Sequence, residues 1–254
     1  MSAFNHPSTP EKLWHYSVLS STNAQAKTLL QEGAAPPFWV ISDQQTAGRG
    51  RHGRNWVSEP GNFFVTVVKR FSAAPHALTG ISLVTAVAVK EAIETATSAD
   101  LQLTLKWPND ILINNAKVGG ILIESQQAPP QAPTNQHPTD LIIGVGVNLT
   151  SHPKLAEKEA TNLQEMGFAL PPTTLRDTLE LSLNKWLSVW NSGAGQGAIV
   201  RTWQQQAAPL GTPLTVKAGA TLHQGKYAGL DAQGSLKLML ENNQIETISA
   251  GEVL

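Results

Sequence analysis

Between Gly48 and Arg54 the chain places three glycines and three arginines in seven residues, and this segment restricts the fold more than any other. Gly48, Gly50 and Gly53 satisfy the spacing G-x-G-x-x-G. In a dinucleotide-binding βαβ unit that loop must run straight into a helix packed against the third glycine. Here Arg54-Asn55-Trp56-Val57-Ser58-Glu59-Pro60-Gly61 follows, a turn-rich stretch that cannot make such a helix. The dinucleotide-binding reading is therefore rejected. Arginines this close repel one another and free glycines are entropically costly, so the cluster makes sense when an anion is its target. Such a loop is expected to stay disordered until phosphate and carboxylate arrive, then to close with arginine side chains as bidentate clamps. Taken alone, the segment reads equally well as a solvated basic turn.

The patch is confined to one loop on a chain of formal net charge -1, which argues against a long phosphate track for nucleic acid and against attraction to an anionic membrane. The 254 residues contain no cysteine, which excludes disulfides, thiolate nucleophiles and cysteine-ligated metals and fits a cytoplasmic protein. Met1 to Pro10 offers no apolar run for a signal peptide, and Ile81 to Val89 is too short and too interrupted to span a bilayer. Seven histidines are scattered without metal-ligand spacing, so no structural metal is expected.

Strand and helix patterns alternate along the chain. Leu13 to Leu19 reads as a strand, Ser20-Ser21-Thr22-Asn23 as helix-capping residues, and Ala24 to Gln31 as a short helix. Phe38 to Ser42 and Asn62 to Val68 read as strands, and Pro75 to Thr97 as a long helix with one buried face. Leu101 to Leu105 is a strand, and Ile111 to Ile113 with Lys117 to Glu124 a hairpin around Asn114-Asn115. Gln126 to Asp140, with four prolines, reads as a mobile surface loop, and Leu141 to Val147 as a strand. Helical patterns occupy Thr161 to Trp190 and Ala198 to Gln206, with Trp186, Trp190 and Trp203 as core residues. From Gly211 onward the runs are short and β-like, separated by Gly and Asn turns. The expected division is 1–208 and 209–254.

Lys106-Trp107-Pro108-Asn109-Asp110 lies between two strands, with a cation at a strand end and an amide and a carboxylate just beyond it. By itself this is a plain Pro-Asn-Asp turn. With Lys117 one hairpin later, and the arginine loop upstream, the set matches what stabilises charge on a transferring phosphoryl or nucleotidyl group. Gly119-Gly120 and Gly144-Val145-Gly146 would let a ligand approach the backbone, or simply ease packing.

In order and spacing, Ser21-Thr22-Asn23, Gln45 to Trp56, Lys106 to Asp110, Lys117 to Glu124 and Gly144 to Asn148 resemble the biotin protein ligase family. The resemblance runs from about Leu13 to the C-terminus. The arginine–glycine loop and the Lys-Trp-Pro-Asn-Asp turn are its specific parts. It implies an α/β (α+β) fold: a mixed-sheet catalytic domain of the class II synthetase type and a small C-terminal SH3-like β-barrel. Biotin contacts carried over are Ser21, Thr22, Asn23, Gln45, Arg49, Gly50, Arg51, Lys117 and Gly120. On the ATP side the resemblance points to Arg51, Arg54, Trp56, Lys106, Asn109, Asp110 and Asn148, with Trp56 stacked on adenine. Lys106, Lys117, Asp110 and Arg51 are the implied catalytic set, with Asp110 as general base.

The implied reaction joins biotin to ATP as biotinyl-5′-AMP with Mg²⁺ assistance, then passes biotin to a lysine of the biotin carboxyl carrier protein of acetyl-CoA carboxylase. Some members add an N-terminal helix-turn-helix domain. The first strand starts near Leu13, so the resemblance is to the monofunctional type, with no DNA as partner. It also leaves a homodimer through a sheet edge open. The chain stops at Leu254, slightly short of some relatives, which sets aside any nucleotide contact from a basic C-terminal end. A lipoate or octanoate ligase-transferase is the rival within the same broad fold, and the arginine loop speaks against it. A nucleic-acid-binding module using that loop is the rival from another class.

Overall fold

The computed structural model describes residues 11–73, 78–99, 101–128, 138–154 and 160–254. Strands β1 (Lys12–Leu19), β2 (Phe38–Gln45), β3 (Phe63–Phe71), β4 (Leu103–Lys106), β5 (Asp110–Ile113), β6 (Ala116–Gln127) and β7 (Thr139–Val147) form one sheet in the order β1-β2-β3-β7-β6-β5-β4. β1 and β2 run parallel, joined through helix α1 (Thr22–Gln31); every other neighbouring pair is antiparallel. The sheet is thus mixed, as the resemblance implies.

Both faces of the sheet are covered, and the period of two along each strand decides what each face meets. Val65, Val67, Leu141, Ile143 and Val145 point to helices α2 (Ile81–Thr97), α3 (Pro172–Trp190) and α4 (Gln196–Gln205), where Trp190 and Trp203 are also buried. Phe38, Val40, Val68 and Ile142 point the other way, against Ala26 and Leu29 of α1. α2 is buried on more than the one face that its periodicity predicts, from Ile81 to Val89 almost continuously. α3 accounts for this by packing along it, with Ser182 Oγ donating to Ala88 O at 2.9 Å.

Several boundaries differ from expectation. Of the helix expected from Pro75, α2 begins at Ile81, and residues 75–77 lie outside the described residues. The expected loop from Gln126 to Asp140 is strand at both ends, because β6 and β7 stay paired out to Gln127 and Thr139. Asp140 is buried there in a two-pronged pair with Arg70 (2.6 and 2.8 Å); residues 129–137 lie outside the described set. Within Thr161 to Trp190 the helix occupies only Pro172–Trp190, after the Pro171-Pro172 start.

Strands β8 (Pro213–Ala218), β9 (Thr221–Leu230), β10 (Leu236–Met239), β11 (Ile245–Ile248) and β12 (Glu252–Val253) form a separate five-stranded antiparallel sheet, β11-β10-β9-β8-β12. It is tied to the first by Trp107 Nε1 donating to Gly234 O (3.1 Å) and by the Leu230 amide donating to Gln204 Oε1. Among the described residues no helix is long and apolar enough to cross a membrane.

Candidate active site

On the α1 face the side chains of β7 dwindle to glycine partway along. Val68 and Ile142 give way to Thr66 opposite Gly144, then to Gly146 and its partner Gly120. The space so left is a cavity of about 550 Å³, within the range of small-molecule sites. Every site residue named from the sequence lines it: Ser21, Thr22, Asn23 and Gln45 at one end, Arg49, Gly50, Arg51, Arg54 and Trp56 over it, and Lys106, Asn109, Asp110, Lys117, Gly120 and Asn148 beyond.

The first end is a closed polar network. Gln45 Oε1 accepts from the Thr22 backbone amide (2.9 Å) and from Thr22 Oγ1 (3.2 Å), and Gln45 Nε2 donates to Ser58 Oγ (2.9 Å). Asn23 Nδ2 donates to Glu124 Oε2 (2.9 Å) and Leu122 O (3.3 Å), so the amide sits across β7, in the space a side chain at Gly144 would need. Ser21 occupies the helix N-cap but makes no side-chain cap bond, contrary to its expected capping role; its backbone there is extended and its side chain is buried beside the cavity.

The arginine loop is folded in the structure rather than disordered. Arg49 and Asn55 form a bridge, the Gly50 amide donates to Arg54 O (2.8 Å), and a tight turn at His52 and Gly53, both of positive φ, reverses the chain. Each arginine meets a protein acceptor, which offsets their mutual repulsion. Arg49 reaches Glu124 (2.9 Å), Arg51 reaches Gly251 O (3.0 Å) and Asn109 Oδ1 (3.4 Å), and Arg54 forks onto Glu252. Burial pulls the Arg51 guanidinium below its ordinary value, partly countered by Asp110 and Glu252, while hydrogen bonding to Glu252 raises Arg54. For Glu124, burial opposes ionisation, but hydrogen bonds from Lys27 and Asn23 and the charges of Arg49 and Lys27 prevail and lower its pKa.

Opposite the loop, Lys106, Asp110, Gly120 and Gly146 are successive cross-strand partners on β4, β5, β6 and β7, forming one row. Lys117 joins this row through a β-bulge. Ile111 faces Gly119 but Leu112 faces Lys117, so Val118 is an extra residue. The extra residue reverses strand parity. Val118 is buried in the helix-side core while Lys117 turns to the cavity, its Nζ 2.6 Å from Asp110 Oδ1. Asn148 lines the cavity but spends its amide Nδ2 on Thr161 O (3.0 Å).

Gly120 and Gly146, two of the glycines read as letting a ligand approach the backbone, instead receive the Trp56 indole. A Cβ on Gly146 would stand 2.7 Å from the ring, and one on Gly120 3.2 Å. The indole Nε1 is buried with no hydrogen-bond partner among the described residues, and Lys117 Nζ lies 5.3 Å from the ring centroid. Sequence reasoning missed Ser58, Thr66 and Glu252. A lone Thr in an apolar strand and a Glu near the chain end carry no local pattern, whereas Glu124 stood inside a quoted motif without a role.

Residues 15–148 match the family model described as biotin/lipoate A/B protein ligase family. A biotin–[acetyl-CoA-carboxylase] ligase of Paracoccus denitrificans is 35% identical, over 86% of this chain and 90% of that protein. A bifunctional ligase/repressor of Bacillus subtilis is 32% identical, over 92% of this chain and 70% of that protein. Among solved structures, biotin protein ligase from Aquifex aeolicus in complex with biotin and ATP superposes with a TM-score of 0.77 at 24% identity, covering 96% and 97% of the two chains. At that identity the likeness speaks for the fold.

Proposed function

Because the chain belongs to the biotin/lipoate A/B protein ligase family, and is a ligase of its biotin-using kind, we propose the following division of labour in its cavity. Biotin and ATP are its substrates, joined as biotinyl-5′-AMP, and a lysine of a biotin carboxyl carrier protein then takes the acyl group. The observation that carries this reading is the row Lys106–Asp110–Gly120–Gly146, with Lys117 brought beside it by the bulge and three arginines facing it.

The ring of biotin lies at the Thr22–Gln45 end, where hydroxyl and amide groups fit a cyclic urea, and Asn23 acts by positioning α1 against β7. Its carboxylate reaches the Arg49–Gly50–Arg51 segment and Lys117. The nucleotide occupies the other end, with Trp56 as the surface on which adenine stacks, a contact worth roughly 1–3 kcal/mol. Asn148 bounds that end. Arg51, Arg54, Lys106 and Lys117 offset charge on the α-phosphate and carboxylate oxygens as the mixed anhydride forms and is attacked. Phosphate must compete with Glu252 for Arg54.

Magnesium keeps most of its water and is usually held by one or two carboxylates together with substrate phosphates. Among the described residues no cluster of three acidic or histidine ligands exists, but such a site does not require one. Asp110 and Asn109, both lining the cavity, fit that modest demand and would hold the ion, which when bound supplies charge neutralisation at the phosphates. In the second step Asp110 takes the proton of the attacking lysine. That amine, with an ordinary pKa of about 10.4, is mostly protonated at neutral pH.

Residues 1–208 act as the catalytic unit and 209–254 as a small unit whose last strand closes on the arginine loop. The activity belongs in the cytoplasm, where ATP and carboxylases meet. Incubating the purified chain with ATP, a carrier domain and labelled biotin tests the reading. ATP-dependent labelling of one carrier lysine is expected; labelling with lipoate in place of biotin would overturn it.

A further inference from the structure

Thr66 lies on β3, fully buried behind the cavity, with Oγ1 2.6 Å from Asn23 Oδ1 and 2.8 Å from Thr22 Oγ1. Proton positions in this chain of groups are dictated from its far end. The Glu124 carboxylate and the Leu122 carbonyl can only accept, so the Asn23 amide turns its Nδ2 to them and its Oδ1 to Thr66. An amide oxygen cannot donate, so the single Thr66 proton goes to Asn23. Thr66 Oγ1 can then only accept from Thr22.

Gln45 leads to the same result from the other side. Its Oε1 takes the Thr22 backbone amide, and its Nε2 is spent on Ser58, so it too can only accept from the Thr22 hydroxyl. Both internal partners of Thr22 Oγ1 accept and neither donates. The oxygen therefore meets the cavity with its lone pairs.

We propose that Thr66 is a specificity-determining residue: together with Gln45 it fixes Thr22 as a hydrogen-bond acceptor toward the cavity, so that the site selects a ring bearing an N–H donor and rejects one without it. The inference rests on the reading that the cavity takes biotin, whose cyclic urea offers that donor. A site built around a hydrogen bond rejects partners lacking it far more strongly than an apolar pocket rejects a misfit. Lipoate, whose dithiolane ring has no N–H, is rejected on this ground. Thr66 is a positioning residue in this scheme, since it acts on the cavity only through Thr22, with Asn23 setting the direction of its proton.

The test compares Thr66→Val, Thr66→Ser and Thr22→Val, alone and combined, by adenylate formation with biotin, with dethiobiotin and with varied ATP. Thr66→Val is expected to raise the KM for biotin and for dethiobiotin by the same factor, roughly 10- to 100-fold, as a lost buried partner does. kcat and the KM for ATP stay within about twofold, and Thr66→Ser recovers the biotin KM to within about threefold. In the Thr22→Val background, Thr66→Val adds less than about twofold.

A parent-like biotin KM in Thr66→Val overturns the proposal. So does equal damage in Thr66→Ser, or additive losses in the double variant. Should Thr66→Val fail to fold, Thr66→Ala read against Thr66→Ser decides, because only the latter keeps the hydroxyl. If the parent chain makes no biotinyl adenylate, the reading of the cavity itself falls, and this proposal with it.

Discussion

Glu252, on the last strand of the small sheet, holds the guanidinium of Arg54 with both carboxylate oxygens across 198 positions of sequence. With Arg51 on the Gly251 carbonyl just before that strand, two of the three loop arginines are anchored to the C-terminal end of the chain. The second sheet is therefore part of the wall of the site, and Glu252 stands where Arg54 would otherwise be open to a phosphate.

Glu252→Gln should consequently lower the apparent KM for ATP, by about two- to fivefold. The pair is half exposed on the arginine side, so loss of stability should stay under about 1 kcal/mol. Steady-state kinetics with a thermal melt of the same preparation checks both halves. A raised KM would mean that Glu252 aids nucleotide binding instead of competing with it.

Lys117 and Asp110 touch, yet the two steps separate them. Lys117→Ala should slow biotinyl-adenylate formation about 10²- to 10³-fold, the usual loss for one charge-stabilising donor. Asp110→Asn should slow transfer from preformed adenylate by about 10²-fold or more, as expected for a missing base. Rapid-quench measurement of each half-reaction tells them apart. Parent rates of adenylation in the first variant, or of transfer in the second, would remove that assignment.

Gly146→Ala should damage the site more than Gly120→Ala, because the added methyl meets the Trp56 indole at 2.7 Å rather than 3.2 Å. Neither glycine has a positive φ, so the backbone tolerates both changes. We expect the KM for ATP to rise about tenfold in Gly146→Ala, the displaced stacking surface losing contact energy of roughly 1–3 kcal/mol. Equal effects of the two substitutions would count against Trp56 as that surface.

Glu124 carries a pH signature. Its pKa is lowered on folding from an ordinary value of 4.5, so its contribution to stability is complete above that value. The contribution is lost as pH falls through the lower folded pKa, when the carboxylate protonates and releases Lys27 and Arg49. Thermal melts should show a constant gap between parent and Glu124→Gln above about pH 6, narrowing in acid. A gap that widens on acidification would contradict the sign.

Individual strands and the separate β-rich tail were legible because strand alternation and turn residues are local signals, whereas the mixed sheet was implied only by the family resemblance. The candidate site residues drawn from the motifs all line one cavity. What stayed hidden were relationships made across the fold. Val118 reads as one more apolar residue in a strand, and nothing local says it is the bulge that turns Lys117 to the cavity. The glycines of β7 read as room for a ligand, but the tryptophan that fills the space arrives from a loop 90 positions earlier, as Trp56 and Gly146 show. Thr66 was invisible because its significance lies in which neighbours can donate a proton.

β7 packs on opposite sides of the sheet with consecutive residues, and this gives it two unequal tolerances to change. Leu141, Ile143, Val145 and Val147 belong to the helix-side core, while Gly144 and Gly146 make room on the other side for Asn23 and Trp56, which line the cavity. A combinatorial library of this strand should split by parity. Substitutions at the odd positions should first erode yield and melting temperature, whereas those at 144 and 146 should first silence turnover in protein that is still well folded.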